Sequence, residues 1–273
     1  MELLLGKEIS QSIKDRIKEE VLSLEVKPKL VVLVNVNDPS SIGYVNSMEK
    51  VAITLGIEFE KVLMNSSEEE YIDQIIKLNN DASCSAIMIT RPLFKGADEK
   101  KILSYIDPLK DVDVMNKVGL GEIFIGNDEI APATAKATMK MIEHYHIDLT
   151  GKDCLVIGRS ISVGKPLSMM LLNKNATVTI AHSKTKDLFL KVKNYDVVVV
   201  AVGIPSFLDA KLCKEDAIIL DCGIHYLDDG RILGDVIPSL EVKAVSKVPG
   251  GIGTITTSVL MDNVLKLYKK QRG

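Results

Sequence analysis

The fold of this chain is decided by the stretch CLVIGRSISVGKP, residues 154–166. Four apolar residues form a short strand pattern, and a glycine turn and a helix-like segment follow directly. Glycine at Gly158 and Gly164 lets the backbone approach an anion, which the N–H groups and positive end of a helix N-terminus favour. The spacing is Gly-x-Ser-x-x-x-Gly rather than Gly-x-Gly-x-x-Gly. Two interpretations therefore stay open, a cradle for nucleotide phosphates or a structural tight turn.

Strand and helix patterns alternate along the rest of the chain. Short apolar runs predict strands at residues 30–34, 59–63, 86–89, 154–157, 176–180, 197–202 and 217–220. Helical spacing or helix-length segments predict helices at 9–24, 41–55, 69–78, 134–144, 166–173, 186–192 and 257–269. This alternation predicts an α/β protein with parallel sheets covered on both faces, and the second half follows the dinucleotide-binding, Rossmann-like pattern.

Composition narrows the class of protein. The chain has 273 residues, 46% of them hydrophobic, and a formal net charge of -3 with both signs mixed throughout. Such a charge balance gives no basic surface for nucleic acid, and no apolar run approaches the roughly 18 residues of a membrane span. The four cysteines lie far apart without a Cys-x-x-Cys pair, so we expect reduced thiols, no metal site and a cytoplasmic protein.

The end of the second strand of the Rossmann-like half indicates the cofactor. It ends in Ala181-His182-Ser183-Lys184, without the carboxylate that usually binds the ribose 2′-hydroxyl of NAD. Arg159, Ser183 and Lys184 provide groups that bind a 2′-phosphate, so NADP is favoured over NAD. His182 has no neighbouring carboxylate or second ligand at metal spacing, which favours a phosphate neighbour or a loop residue over a base or metal ligand.

Six motifs, in order over nearly the whole chain, resemble one known family. They are DPSSxxYV at 38–45, KDVD at 110–113, GRSxxVGKP at 158–166, HSKT at 182–185, GDV at 234–236 and PGGIG at 249–253. The family is that of the bifunctional methylenetetrahydrofolate dehydrogenase/cyclohydrolases of the FolD type. The resemblance implies two α/β domains flanking a cleft, a C-terminal helix that returns to the first domain, and a homodimer built through the Rossmann domain. We assign the domains to residues 1–132 with 254–273, and to 133–253.

The resemblance also implies site residues. Those expected to bind NADP are Gly158, Arg159, Ser160, Gly164, His182, Ser183, Lys184, Gly223 and Ile224. Those expected to bind the folate substrate are Tyr44, Asp113, Pro249, Gly250 and Gly251, with Tyr44 and Asp113 also counted as catalytic.

Two positions depart from the family pattern. Met48 stands where Tyr-Val-x-x-Lys has its lysine, and Thr90 stands where the family has a glutamine. Lys50 does not replace that lysine, since on a helix it points about 200° away from Met48. Pro132-Ala133-Thr134-Ala135 and Thr254 also differ from the family's pocket motifs.

These departures separate two activities. Cyclohydrolase chemistry needs a positioned acid or base, which neither Met48 nor Thr90 provides. Hydride transfer to a nicotinamide mainly needs alignment of two carbons. We therefore expect an NADP-dependent methylenetetrahydrofolate dehydrogenase whose cyclohydrolase activity is weak or lost. The alternatives are a non-catalytic NADP-binding paralogue with a regulatory or structural role, and a dehydrogenase for another small substrate, since Arg91 and Phe94 alter the pocket.

Overall fold

The computed structural model describes residues 1–227 and 229–273, and the side chains of Pro39 and Ser40, in the DPSS motif, lie outside the described residues. The chain divides into two compact units. The three-stranded unit comprises Ser12–Gly121 and Leu260–Gly273, and the six-stranded unit comprises Met1–Gln11 and Glu122–Val259. None of the helices in the described residues combines the length and apolar character that crossing a membrane requires.

The helices of the described chain are α1 Lys7–Leu22, α2 Pro39–Thr54, α3 Glu68–Asn79, α4 Glu99–Leu103, α5 Lys117–Phe124, α6 Ala133–His144, α7 Gly164–Leu172, α8 Leu188–Lys191 and α9 Ile252–Lys270. The strands are β1 Glu2–Leu4, β2 Lys29–Asn35, β3 Glu58–Met64, β4 Ala86–Ile89, β5 Asp153–Ile157, β6 Thr177–Ala181, β7 Val197–Val200, β8 Leu208–Asp209, β9 Ile218–Asp221, β10 His225–Tyr226, β11 Ile232–Leu233, β12 Val236–Ile237 and β13 Ala244–Ser246.

The six-stranded unit is built on a parallel sheet. Its strand order is β1-β13-β9-β7-β5-β6, and every pairing in it is parallel. From β5 the chain adds β6 on one side, then reverses to add β7 and β9 on the other, which confirms the predicted Rossmann-like arrangement. In such a sheet ligands bind beyond the carboxyl ends of the strands at the point of reversal, here beyond β5, β6 and β7.

The three-stranded unit is also parallel, with the order β3-β2-β4. The central strand explains the apolar run in the sequence, because its residues Leu30 to Val34 have no exposed surface. A strand covered on both faces reads as a continuous apolar run rather than an alternating one. The predicted α/β class therefore holds for both units.

The sequence did not predict the N-terminal strand. β1 pairs in parallel with β13, so residues 1–11 belong to the six-stranded unit. The division of the structure thus differs from the predicted domains at residues 1–11, 122–132 and 254–259. β1 has three residues of which only Leu4 is buried, and its partner lies at the far end of the chain, so no local pattern marks it.

The last helix also begins earlier than predicted. α9 starts at Ile252, directly after Gly251, whereas helical spacing placed its start at residue 257. Its first turn contains Gly253, a poor helix former that weakens the local pattern.

A buried ammonium group closes helix α3. Lys110 is 6% exposed, and its Nζ donates to the carbonyl oxygens of Leu78, Asn79 and Asp81 at 2.7, 2.9 and 2.7 Å. These carbonyls lie at the C-terminal end of the helix and just beyond it, where the helix cannot satisfy them internally and where its dipole favours a cation.

Replacing Lys110 by Met should lower the free energy of unfolding by about 2–4 kcal/mol, because three carbonyls lose a charged donor. Lys77→Met is the matched control, since it removes an exposed cation from the last turn of the same helix. Urea denaturation of both variants measures the difference. Equal stabilities for the two variants would show that the buried cap contributes nothing.

A buried carboxyl group organises the end of strand β9. Asp221 accepts hydrogen bonds from the backbone N–H of Gly223 at 2.9 Å and from those of Asp235 and Val236 at 3.0 Å each. Burial nevertheless raises the pKa of Asp221 to about 6, because desolvation of the charged form outweighs these bonds.

Stability should therefore depend on the ionisation of Asp221. The folded chain binds this proton more tightly than the unfolded chain, so the contribution is fully present below about pH 4 and is lost as the pH rises through about 6. We expect the stability difference between the wild type and Asp221→Asn to be larger at pH 4 than at pH 7.5, by on the order of 3 kcal/mol. Urea unfolding at both values measures it, and a difference independent of pH would contradict the assignment.

Candidate functional site

The glycine turn after β5 is shaped by close backbone contacts. Gly158 has φ +131°, and a Cβ there would collide with the carbonyl oxygen of Ala201 at the end of β7. A Cβ at Gly164, the first residue of α7, would collide with the carbonyl oxygen of Gly158. Both glycines are thus required by the backbone itself, which brings the start of α7 against the end of β5.

The start of α7 is capped from within the turn. Ser160 Oγ accepts from the backbone N–H of Val163 at 3.1 Å and of Gly164 at 3.4 Å. Two of the N–H groups that were expected to meet an anion therefore have a partner in the chain. This serine occupies the place of the middle glycine in Gly-x-Gly-x-x-Gly and supplies a side-chain cap.

A cavity of about 770 Å³ opens beyond the carboxyl ends of β5, β6 and β7. It is lined by Ile157, Gly158, Arg159, Ser160, His182, Ser183, Thr185, Asp187, Leu188, Phe189, Leu190, Ala201, Val202, Ile204 and Phe207. Its volume lies within the range of small-molecule and cofactor sites. Five of the predicted cofactor residues come together here, namely Gly158, Arg159, Ser160, His182 and Ser183.

Two predicted cofactor residues of the same region do not line this cavity. Gly164 is buried beneath the turn. Lys184 is exposed, and its backbone N–H donates to His182 Nδ1 at 3.1 Å.

His182 is fixed by its own loop. Its Nδ1 accepts from the backbone of Lys184, and its backbone N–H donates to Thr185 Oγ1 at 2.9 Å. In the neutral ring the proton is therefore on Nε2. Both contacts hold His182 within its own loop.

Sequence reasoning missed one wall of the cavity. Helix α8 contributes Leu188, Phe189 and Leu190, and the rings of Phe189 and Phe207 lie 5.5 Å apart. The apolar run at 188–190 was the available indication in the sequence, and two of its residues, Phe189 and Leu190, are exposed. Asp187 adds a carboxylate to the lining, although it lies beyond the end of β6, where a ribose-binding carboxylate would be expected.

A second cavity, of about 220 Å³, brings together the remaining predicted residues of the six-stranded unit. Gly223 and Ile224, expected to bind the cofactor, line it with Pro249, Gly250 and Gly251, expected to bind the substrate. The five residues lie in two loops, at 223–224 and 249–251, that are separate in the sequence.

In the three-stranded unit, Met48 lies in the buried stripe of α2. Val45, Met48 and Ala52 follow helical spacing and are at most 1% exposed. Tyr44, four residues before Met48 on the same helix, is 42% exposed, so the two positions differ in environment. Tyr44 lies at the edge of this stripe, about 100° around the helix from Val45. Lys50 is exposed.

Thr90 directly follows strand β4 and is buried. Its backbone N–H and its Oγ1 both point to the carbonyl oxygen of Leu33, at 3.0 and 3.4 Å. The hydroxyl is therefore engaged as a donor to the sheet and has no titratable function.

Asp113 lies in a loop anchored by a second carboxylate. Asp111 is 3% exposed and accepts from the backbone N–H and the Nδ2 of Asn116 at 2.7 and 2.6 Å. Burial raises the pKa of the Asp111 carboxyl. Val114, directly after Asp113, has φ +53°, which is strained for a β-branched residue.

The carboxylate of Asp113 faces an arginine. Arg91 Nη2 lies 4.0 Å from Asp113 Oδ2, and Arg91 Nη1 donates to Glu99 Oε1 at 3.3 Å. Arg91 thus bridges two carboxylates beside Thr90. Arg91 was expected to alter the pocket, and the structure gives it these two carboxylates as partners.

The two units therefore offer different chemistry. The large cavity of the six-stranded unit offers a cation, hydroxyl groups and apolar walls beyond a Rossmann-like sheet. Met48 and Thr90 themselves have no ionisable side chain, whereas Tyr44 and Asp113 have polar groups that can form hydrogen bonds.

Comparison with protein families assigns both parts of the chain. Residues 4–113 match the catalytic domain of tetrahydrofolate dehydrogenase/cyclohydrolase, and residues 132–272 match the NAD(P)-binding domain of the same enzymes.

Individual relatives agree over the full length. Bifunctional protein FolD of Acetivibrio thermocellus is 43% identical, with 98% of this chain and 97% of the relative covered, and that of Thermotoga maritima is 44% identical, with 97% and 98% covered. The crystal structure of the bifunctional enzyme FolD from Campylobacter jejuni superposes with a TM-score of 0.94 at 35% identity, covering 98% of this chain and 99% of that one. The Trypanosoma brucei enzyme, complexed with NADP and an inhibitor, gives 0.93 at 30% identity, covering 99% and 98%. The chain therefore belongs to the tetrahydrofolate dehydrogenase/cyclohydrolase family.

Proposed function

We propose that this chain oxidises 5,10-methylenetetrahydrofolate to 5,10-methenyltetrahydrofolate with NADP, in the cytoplasm, and that it has lost most or all cyclohydrolase activity. The observation that carries the proposal is the contrast between the two units. The cavity beyond β5, β6 and β7 has a lining that suits a nucleotide. In contrast, Met48 is buried, and the Thr90 hydroxyl donates a hydrogen bond to the carbonyl oxygen of Leu33.

The residues of the large cavity fit a dinucleotide phosphate. Arg159 supplies a guanidinium that can bind a phosphate through two N–H groups, and Ser183 supplies a hydroxyl. Apolar residues of α8 and Phe207 also line this cavity. When bound, NADP supplies a nicotinamide ring that accepts a hydride.

Arg159 should give the preference for NADP over NAD. Replacing Arg159 by Ala should weaken NADP binding roughly tenfold to a hundredfold, because a charge-assisted bond to phosphate is lost, and should change NAD binding little. Lys165→Ala is the control. It removes an exposed cation that is close to Arg159 in the sequence but does not line the cavity. Calorimetry with each nucleotide measures the effect, and an equal loss for NAD and NADP would argue against the 2′-phosphate role.

The residues expected to bind the folate substrate can do so without acting as an acid or a base. Tyr44 is exposed enough to stack on a substrate ring, and Asp113 carries a carboxylate that can accept hydrogen bonds from a pterin. Hydride transfer needs these two residues only to orient the substrate. Hydrolysis of the methenyl product needs proton transfer by a positioned side chain, which Met48 and Thr90 lack.

The wild-type protein should reduce NADP with 5,10-methylenetetrahydrofolate and show little methenyl hydrolysis. Met48→Lys combined with Thr90→Gln restores the family's residue types and should raise hydrolysis, while Met48→Leu with Thr90→Val should not. The lysine should also lower the free energy of unfolding by a few kcal/mol, because it places an ammonium in an apolar stripe. Separate spectroscopic assays measure NADP reduction and methenyl hydrolysis. Robust hydrolysis by the wild type would refute the proposed loss of cyclohydrolase activity.

A second candidate is a nucleotide-binding protein without turnover. It is favoured by the contacts of Arg91, because the guanidinium already faces the Asp113 carboxylate that a pterin would need. Calorimetry with NADP and with tetrahydrofolate in separate titrations distinguishes the two. Binding of NADP without binding of the folate supports this candidate, and binding of both supports the dehydrogenase.

We also propose a homodimer formed through the six-stranded unit. Strand β6 is an edge strand of the sheet, and its residue Ile180 is 38% exposed. An uncovered edge strand with apolar side chains favours pairing with another chain. Light scattering measures the mass in solution, and a monomer at micromolar concentration would refute the dimer.

A further inference from the structure

Two neighbouring loops of the six-stranded unit border different cavities. The loop after β7 carries Ala201, Val202 and Ile204, which line the cavity of about 770 Å³. The loop after β9 carries Gly223 and Ile224, which line the cavity of about 220 Å³. Strands β7 and β9 pair directly, so the two loops leave the same edge of the sheet side by side.

One buried carboxylate joins these loops. Asp235 Oδ2 accepts from the backbone N–H of Val202 at 2.7 Å and of Gly203 at 2.9 Å. Its Oδ1 lies 2.7 Å from Nε2 of His225, which directly follows Ile224. Each oxygen of Asp235 thus binds one loop, and the residue has no exposed surface.

Asp235 is itself held on both sides. Its backbone N–H donates to Asp221 Oδ1 at 3.0 Å, and its carbonyl oxygen accepts from the N–H of Leu208 at 3.0 Å. The carboxylate therefore cannot follow one loop without moving the strand end that anchors it. The side chain of His225 is 19% exposed, so the imidazole shields the carboxylate from water.

Glycines make room for the carboxylates of Asp235 and Asp221. A Cβ at Gly223 would collide with Asp235 Oδ1, and a Cβ at Gly234 would collide with Asp221 Oδ2. The glycine at position 223, expected from the family resemblance to serve the cofactor, is thus required here by the contact with Asp235. Neither Asp235 nor His225 lines the two cavities.

We propose that Asp235 and His225 form a positioning pair that fixes the Val202–Gly203 backbone relative to Gly223–Ile224, and so aligns the walls of the two cavities for hydride transfer. The proposal rests on the proposed dehydrogenase function. The pair touches neither cofactor nor substrate in this role and acts through the backbone of the two loops. Cofactor affinity is set mainly by groups elsewhere in the large cavity, such as Arg159, so loss of the pair should affect the rate of turnover more than binding.

Two variants of His225 separate the hydrogen bond from the size of the side chain. His225→Gln keeps an N–H donor at a comparable reach, and His225→Met has similar bulk and no donor. For His225→Met we expect kcat to fall at least roughly tenfold, with the Kd for NADP within about threefold of the wild type, because misaligned groups cost rate even where binding persists. His225→Gln should recover most of the lost turnover.

A second measurement does not depend on turnover. Hydrogen exchange of the Val202 and Gly203 amides, followed by NMR, should accelerate in His225→Met and return toward the wild-type rate in His225→Gln. The thermal midpoint of each variant shows whether the whole protein is destabilised. In that case all core amides would exchange faster, and not only those of Val202 and Gly203. If the wild type does not reduce NADP with 5,10-methylenetetrahydrofolate, the proposed function fails, and amide exchange still tests the pair.

Three results would overturn the positioning pair. They are unchanged exchange of the two amides in His225→Met, a kcat within threefold of the wild type in an otherwise active enzyme, and a glutamine variant that behaves like the methionine variant. The last result would assign the effect to packing of the imidazole rather than to its bond with Asp235.

Discussion

The six-stranded unit depends on one close approach of backbone to backbone. At the end of β5, Gly158 passes the carbonyl oxygen of Ala201 with no room for a side chain, and Gly164 then passes the carbonyl oxygen of Gly158. These contacts set the separation between the ends of β5 and β7 and the point at which α7 begins. The large cavity and the loop held by Asp235 both start from this arrangement. The shape of this turn is therefore set by backbone packing, and the space available for a ligand depends on that packing.

The parts of the fold that could be predicted from the sequence are those with a dense local pattern. Strands β2 and β7 are covered on both faces, and their unbroken valine- and leucine-rich runs reflect that burial. Strand β1 could not be predicted, because three residues with one buried side chain carry no period, and its partner is distant in sequence. The start of α9 was misplaced since Gly253 lowers helix propensity although the backbone there is helical.

The candidate site was predictable to a similar degree. Residues within one turn or one strand end, such as Gly158, Arg159 and His182, come together because the sheet order brings β5 and β6 side by side. Side-chain partners across loops were not predictable. The contact of Arg91 with Asp113, and that of His225 with Asp235, depend on loop paths that no periodicity records. Met48 is buried, so this apolar residue also continues the core stripe of α2.

The pairing of β1 with β13 has a consequence for synthesis of the chain on the ribosome. Glu2 to Leu4 are synthesised long before their partners Ala244 to Ser246, because a long stretch of chain separates the two strands. Pairings between such distant segments are slow to form, because the chain between them must first be brought to a compact state. The three-stranded unit shares this property through Leu260–Gly273. Each unit can therefore complete its fold only after its distant C-terminal segment has been made.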